Sequence, residues 1–116
     1  MTGRIINNLI EVRQGDSFNI VLHFRNSQGA KIDLENSKFE MQVRDNDEHV
    51  IFSKEGDITI SDASVCFALA PEDTNKNIGK YKTDIQWTDK YGHVNTVFPQ
   101  DVNKIGIFRI TPQVTR

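Results

Sequence analysis

The stretch Gly79-Lys80-Tyr81-Lys82-Thr83-Asp84-Ile85-Gln86-Trp87 decides the fold. A short polar segment, residues 71–77, precedes it, and the alternating run Val65-Cys66-Phe67-Ala68-Leu69 precedes that. A strand, a short corner, then a strand with an early tyrosine is how an immunoglobulin-like sandwich passes from one sheet to the other. In such a corner the phenol hydroxyl bonds backbone close by while the ring enters the core. The stretch therefore predicts an all-β chain.

The same alternation extends outward in both directions, and the helical period is nearly absent. Residues 17–25 form the clearest strand, with Phe18, Ile20, Leu22 and Phe24 on one face and Asn19, Val21, His23 and Arg25 on the other. Residues 9–14 are a short strand before it. The turn Asn26-Ser27-Gln28-Gly29 follows, then a short extended piece with Ile32 and Leu34 inward. Residues 38–44 bury Phe39, Met41 and Val43, and residues 49–54 return from the turn at 45–48. Residues 58–60 and 65–69 read as the arms of a hairpin. Pro71 opens one helical turn. Strands at 80–88, 94–98 and 105–110 complete the pattern. About eight or nine short strands at this spacing predict an antiparallel immunoglobulin-like β-sandwich. The expected organisation is a flexible arm at residues 1–8 and a single domain at residues 9–116. Phe18, Phe24, Phe39, Phe67, Tyr81, Trp87 and Phe108 are its expected large packing groups. Burying one such ring contributes about 2–3 kcal/mol.

Composition narrows the function classes. The 116 residues carry a formal net charge of -2 with acidic and basic residues interspersed, which excludes a strong basic field for nucleic acid. The single cysteine, Cys66, has no internal disulfide partner, whereas a small secreted domain more often carries pairs. Residues 1–8 lack the apolar core of a signal peptide, and no run approaches the ~20 apolar residues of a membrane-spanning helix. Synthesis and folding in a reducing host cytoplasm are expected.

Chemistry-bearing residues are scattered. His23, His49 and His93 lack the spacing of metal-binding histidine motifs and are expected at the surface. Asp45, Asn46, Asp47 and Glu48 put oxygen donors in one turn, without the glycine and distant glutamate of an EF-hand. Such turns arise because aspartate and asparagine bond their own backbone. Cys66 falls on the strand face opposite Val65 and Phe67, with no neighbouring base to activate it. Asp84 and Asp89 would serve acid–base chemistry only at a defined separation. Gly15, Gly29, Gly56 and Gly92 are isolated turn glycines rather than a phosphate-binding loop. Trp87, Tyr91 and Phe98 would form a sugar platform if they faced solvent; alternation instead turns Trp87 inward with Tyr81 and Ile85, and leaves Tyr91 exposed. No catalytic, cofactor-binding or metal-binding residue is predicted.

Five motifs taken in order carry a resemblance. They are Ile10-Glu11-Val12-Arg13-Gln14-Gly15-Asp16-Ser17, Gly29-Ala30-Lys31-Ile32-Asp33-Leu34, Phe39-Glu40-Met41-Gln42-Val43-Arg44-Asp45, Gly79-Lys80-Tyr81-Lys82-Thr83-Asp84-Ile85 and the ending Gly106-Ile107-Phe108-Arg109-Ile110-Thr111-Pro112-Gln113-Val114-Thr115-Arg116. The order resembles small β-sandwich proteins of tailed phages and prophages, and is similar to the amino-terminal domain of phage baseplate upper proteins. The resemblance implies a non-enzymatic virion structural protein of tail, baseplate or neck, working by protein–protein assembly, without a cofactor or small-molecule substrate. It implies other phage tail or baseplate proteins as partners, homo-oligomers, and residence in the virion. Longer members continue into helical regions that attach receptor-binding proteins, so a decoration, adaptor or neck role is expected here. Ile5 and Ile6 in the arm, Tyr91, and Val114 in the tail are the expected partner contacts. The rival readings are a carbohydrate-binding or adhesion module and a small hydrolase.

Overall fold

The alternation closes into two sheets facing each other. The computed structural model describes residues 3–101 and 103–112. Ten strands run through them: β1 (Gly3–Ile6), β2 (Leu9–Arg13), β3 (Phe18–His23), β4 (Lys38–Arg44), β5 (Val50–Glu55), β6 (Asp57–Thr59), β7 (Ser64–Leu69), β8 (Gly79–Thr88), β9 (Val94–Phe98) and β10 (Gly106–Thr111). One short helix, α1 (Pro71–Thr74), lies between β7 and β8. The larger sheet has seven strands in the order β1-β2-β10-β8-β4-β5, with β9 also on β8; the smaller has the order β3-β7-β6. The protein is an all-β two-sheet sandwich.

β8 is the frame of the larger sheet. One edge pairs with β4, from Lys38↔Thr88 to Arg44↔Lys82. Its other edge is divided: β10 pairs with the first half and β9 with the second. Period-two patterning explains the core. Ile10 and Val12, Phe39, Met41 and Val43, Val65, Phe67 and Leu69, Ile85, Phe108 and Ile110 all point between the sheets and are buried. Phe18, Tyr81 and Trp87 pack on this core while staying partly accessible.

The corner before β8 is tied on several sides. The Tyr81 hydroxyl donates to the Asn77 carbonyl, the contact expected from the sequence. The Asp73 carboxylate accepts the Ala70 N–H at 2.8 Å and meets Lys54 Nζ at 2.8 Å. Thr74, fully buried, donates through Oγ1 to the Asp16 carbonyl at 2.6 Å. Gln14 donates to the Lys76 carbonyl at 2.9 Å. The β2–β3 turn and the β7–β8 corner thus hold each other.

Several expectations are corrected. Within the segment read as a flexible arm, Gly3–Ile6 is a strand paired with β2. Asn7-Asn8 is the turn, with Asn7 at φ 53, and Ile6↔Leu9 closes it; asparagine tolerates the positive φ that two-residue hairpins demand. The sheet is not wholly antiparallel, because β2 runs parallel to β10 from Ile107↔Leu9 to Thr111↔Arg13. The extended piece at residues 30–34 turns Leu34 and Ile32 inward as expected and makes one isolated bridge, Arg25↔Lys31. Ile60 opens a 3-10 turn, Ile60–Asp62, instead of ending β6. Val114 lies outside the described residues.

Gly56 sits where the chain leaves β5 in one sheet for β6 in the other. A Cβ there would lie 2.3 Å from Val65 Cγ1 and 3.1 Å from Phe39 and Phe67. The crossing therefore requires glycine.

Candidate functional site

Three turns share one construction. Asn26, Asp45 and Asp89 each head a five-residue loop and accept two backbone N–H groups on Oδ1, from residues two and four positions on, at 2.9–3.0 Å. In each, the fourth residue takes a left-handed conformation: Gly29 at φ 81, Glu48 at φ 68 and Gly92 at φ 84. The fifth residue is histidine in two of them. His49 Nδ1 lies 3.4 Å from Asp45 Oδ2, and His93 Nδ1 lies 3.4 Å from Asp89 Oδ2. His23 meets Asp62 at 3.5 Å. Each histidine thus has an aspartate beside it at the surface, and the three do not converge.

The electrostatics follow from these bonds. The N–H of His49, and then that of Asp47, hold Asp45 below its ordinary carboxylate value. Partial burial pushes Asp89 up, and the N–H groups of His93 and Tyr91 outweigh it, so its net direction is down. Ligand atoms of Asp45, Asp47 and His49 lie within 4.8 Å of one another. Asp45 is already engaged by its own turn, and the three side chains are otherwise a solvated loop.

Trp87, Tyr91 and Phe98 do not form a platform. Trp87 stacks on Phe39 with centroids 5.8 Å apart and 9° between the rings, and its Nε1 donates to Ser37 Oγ at 3.0 Å. Phe24 packs beside both rings. Phe98 is buried, and only Tyr91, 75% exposed, stands in solvent. Asp84 pairs with Arg44 at 3.6 Å while Asp89 heads its turn, so the two carboxylates serve different partners. Cys66 is half-buried on β7 between Val21 and Asp57 in register.

The surface with distinctive chemistry is the outer edge of β9. Its residues, Val94-Asn95-Thr96-Val97-Phe98, carry no charge, and no strand pairs with that edge among the described residues. The other free edges do carry titratable groups: Arg4 on β1, His23 on β3, Lys54 and Glu55 on β5, and Asp57 on β6. The three most exposed large apolar side chains among the described residues are Tyr91 at 75%, in the turn before β9, Ile105 at 65%, beside it, and Val94 at 58%, its first residue. A recess of about 330 Å³ beside β9 is lined by Thr96, Pro99 and Ile105 and by the charged Arg44, Glu48, Lys82, Asp84 and Lys104. On the other side of β9 an open groove of about 520 Å³ separates Thr96 and Val97 from Val21, Leu22 and Phe24 of β3 and its extension.

Ile5 and Ile6, expected as partner contacts, are 40% and 46% exposed on the edge strand β1. The sequence signal for the β9 edge was present as a charge-free run at 94–98. Its position at a free edge depends on β10 taking only the first half of β8, which no local pattern announces. No family model matches the chain, and no curated protein matches it.

Proposed function

We propose that the protein is a non-enzymatic structural module of a tailed-phage or prophage particle, acting through protein–protein assembly. The single observation that carries the assembly part is the neutral, unpaired edge of β9 flanked by Tyr91, Val94 and Ile105. Natural sheets blunt free edges with charge, proline, bulges or cover. β9 has one irregularity at Val97 and Pro99 at its end, and its remaining outer edge, without charge or a covering strand among the described residues, is suited to strand addition. The phage assignment rests on the ordered motifs from Ile10 to Thr111 and the sequence beyond.

We further propose that the sandwich is immunoglobulin-like. The support is β3-β7-β6 facing β2-β10-β8-β4-β5, with the tyrosine corner at the start of β8. Its partners are tail or baseplate proteins and further copies of itself, and its place is the virion. The inward packing of Trp87 and Phe98 gives no support to the carbohydrate-binding reading.

The test is particle association. After prophage induction of the source bacterium, gradient-purified particles are digested and searched for peptides of this chain. Peptides co-migrating with intact particles are the expected result. Peptides confined to the soluble fraction overturn the virion assignment.

A further inference from the structure

We infer that β9 is a self-docking edge, at which two copies of the chain pair β9 with β9 in antiparallel fashion across a two-fold axis. The inference deepens the assembly reading by naming its surface and its first partner, and it rests on that reading.

The edge has the two properties self-pairing needs. It is five residues long and pairs with β8 on one side, with one register shift at Val97 between Ile85↔Phe98 and Gln86↔Thr96, and no strand pairs with its outer side among the described residues. It is also neutral. An isologous contact sets each residue near its own copy, so a charged strand would oppose like charge to like charge. β9 escapes this, and the charged edges β1, β5 and β6 do not.

The apolar groups around β9 are arranged so that one two-fold covers both ends at once. Pairing centred on Thr96 sets Val94 opposite Phe98 of the second copy and Asn95 opposite Val97. The Tyr91 turn of each copy then extends past Phe98 of the other, toward Pro99. Ile105 is at that place too, since it lines the same recess as Pro99 and Thr96. That recess is also lined by Lys82, Asp84 and Lys104, so an incoming tyrosine would meet apolar atoms with its ring and charged groups with its hydroxyl. A projecting ring at one end and a recess of mixed apolar and charged lining at the other are exchanged by the axis, so both are filled twice. A different partner would have to supply this same projection and recess in the same spacing; the chain already does. At the centre, Thr96 faces Thr96, a favourable cross-strand pair.

The test is sedimentation equilibrium of the full chain over a wide concentration series, for wild type, Thr96→Lys, Thr96→Glu and an equimolar mixture of the two variants. Thr96 is exposed, so both variants are expected to keep the wild-type melting temperature. Wild type should show a monomer–dimer equilibrium. Each variant alone should dissociate at least about tenfold more readily, and the mixture should recover the dimer because lysine then faces glutamate. A wild-type chain monomeric throughout, variants that dimerise like wild type, or a mixture that stays monomeric each overturn β9 self-pairing. The two readings fail separately. A chain found in purified particles but monomeric in solution loses the β9 dimer alone. A charge-sensitive dimer absent from particles loses the virion assignment alone.

Discussion

The Tyr81 hydroxyl donates to the backbone carbonyl of Asn77 across 2.5 Å, closing the corner from which β8 starts. Burial, and secondarily the Asp45 carboxylate, push the phenol above its ordinary value, which keeps the donor proton in place. Tyr81→Phe retains the ring against the core and removes only the hydroxyl. A loss of about 1 kcal/mol in urea unfolding is expected. An unchanged midpoint would mean that water serves Asn77 equally well.

Gly56 and Val65 give a packing prediction. Gly56→Ala forces a methyl group into Val65 Cγ1 and should cost about 1–3 kcal/mol. In a Val65→Ala background the same substitution should cost clearly less, because the obstructing methyl is gone. Gly106→Ala should be worse than Gly56→Ala, since its Cβ would meet the Thr83 carbonyl, which is backbone and cannot swing aside. Thermal melts of the single and double variants decide this, and strict additivity at 56 and 65 would contradict the geometry.

The aspartate-headed turns predict a pH dependence. Asp45 and Asp89 are held below their ordinary values in the folded state. A depressed carboxylate contributes stability that is present above its unfolded pKa and lost as pH falls through the folded one. Asp45→Asn and Asp89→Asn should keep the turns, because Asn26 heads the same loop with an amide oxygen. The double variant should therefore lose less stability than wild type on acidification. Melting temperatures from neutral pH downward are the measurement, and parallel curves would refute the assignment.

Glu48 occupies a left-handed position that Gly29 and Gly92 fill in the sister turns. It is held there by Lys82 at 2.6 Å and Arg44 at 3.4 Å, and the Lys82 hydrogen bond lowers its pKa below the ordinary 4.5. Glu48→Gly relieves the backbone and removes the ion pairs. Its melting temperature relative to wild type should improve as pH falls, because wild type then loses the charge that offset the strain. Gly92→Ala introduces the same strain without compensation and should cost about 1 kcal/mol.

The interior was readable where burial is one-sided. Phe39, Phe67 and Phe108 are buried as their alternation requires, since a period-two pattern fixes which face looks inward. Phe18, Tyr81 and Trp87 only partly close because they sit where the smaller sheet or the corner stops covering the larger one. The β1 hairpin was missed because Asn7-Asn8 contains no glycine and its strand has few apolar neighbours. The parallel pairing of β2 with β10 joins residues nearly a hundred positions apart, and pairing at that distance leaves no trace in a local window. For the same reason Tyr91 was legible as an exposed ring, while the open edge beside it was not.

The parallel register of β2 and β10 also fixes how the domain bears load. Tension applied between Leu9 and Thr111 pulls the two strands lengthwise in opposite senses, so the bonds joining them are stressed together in shear instead of opening one by one. When the pull is applied at Gly3 instead, β1, folded back on β2 as a hairpin, peels away first and lengthens the chain before that patch is reached. A pull along the chain thus meets a yielding element followed by a stiff one.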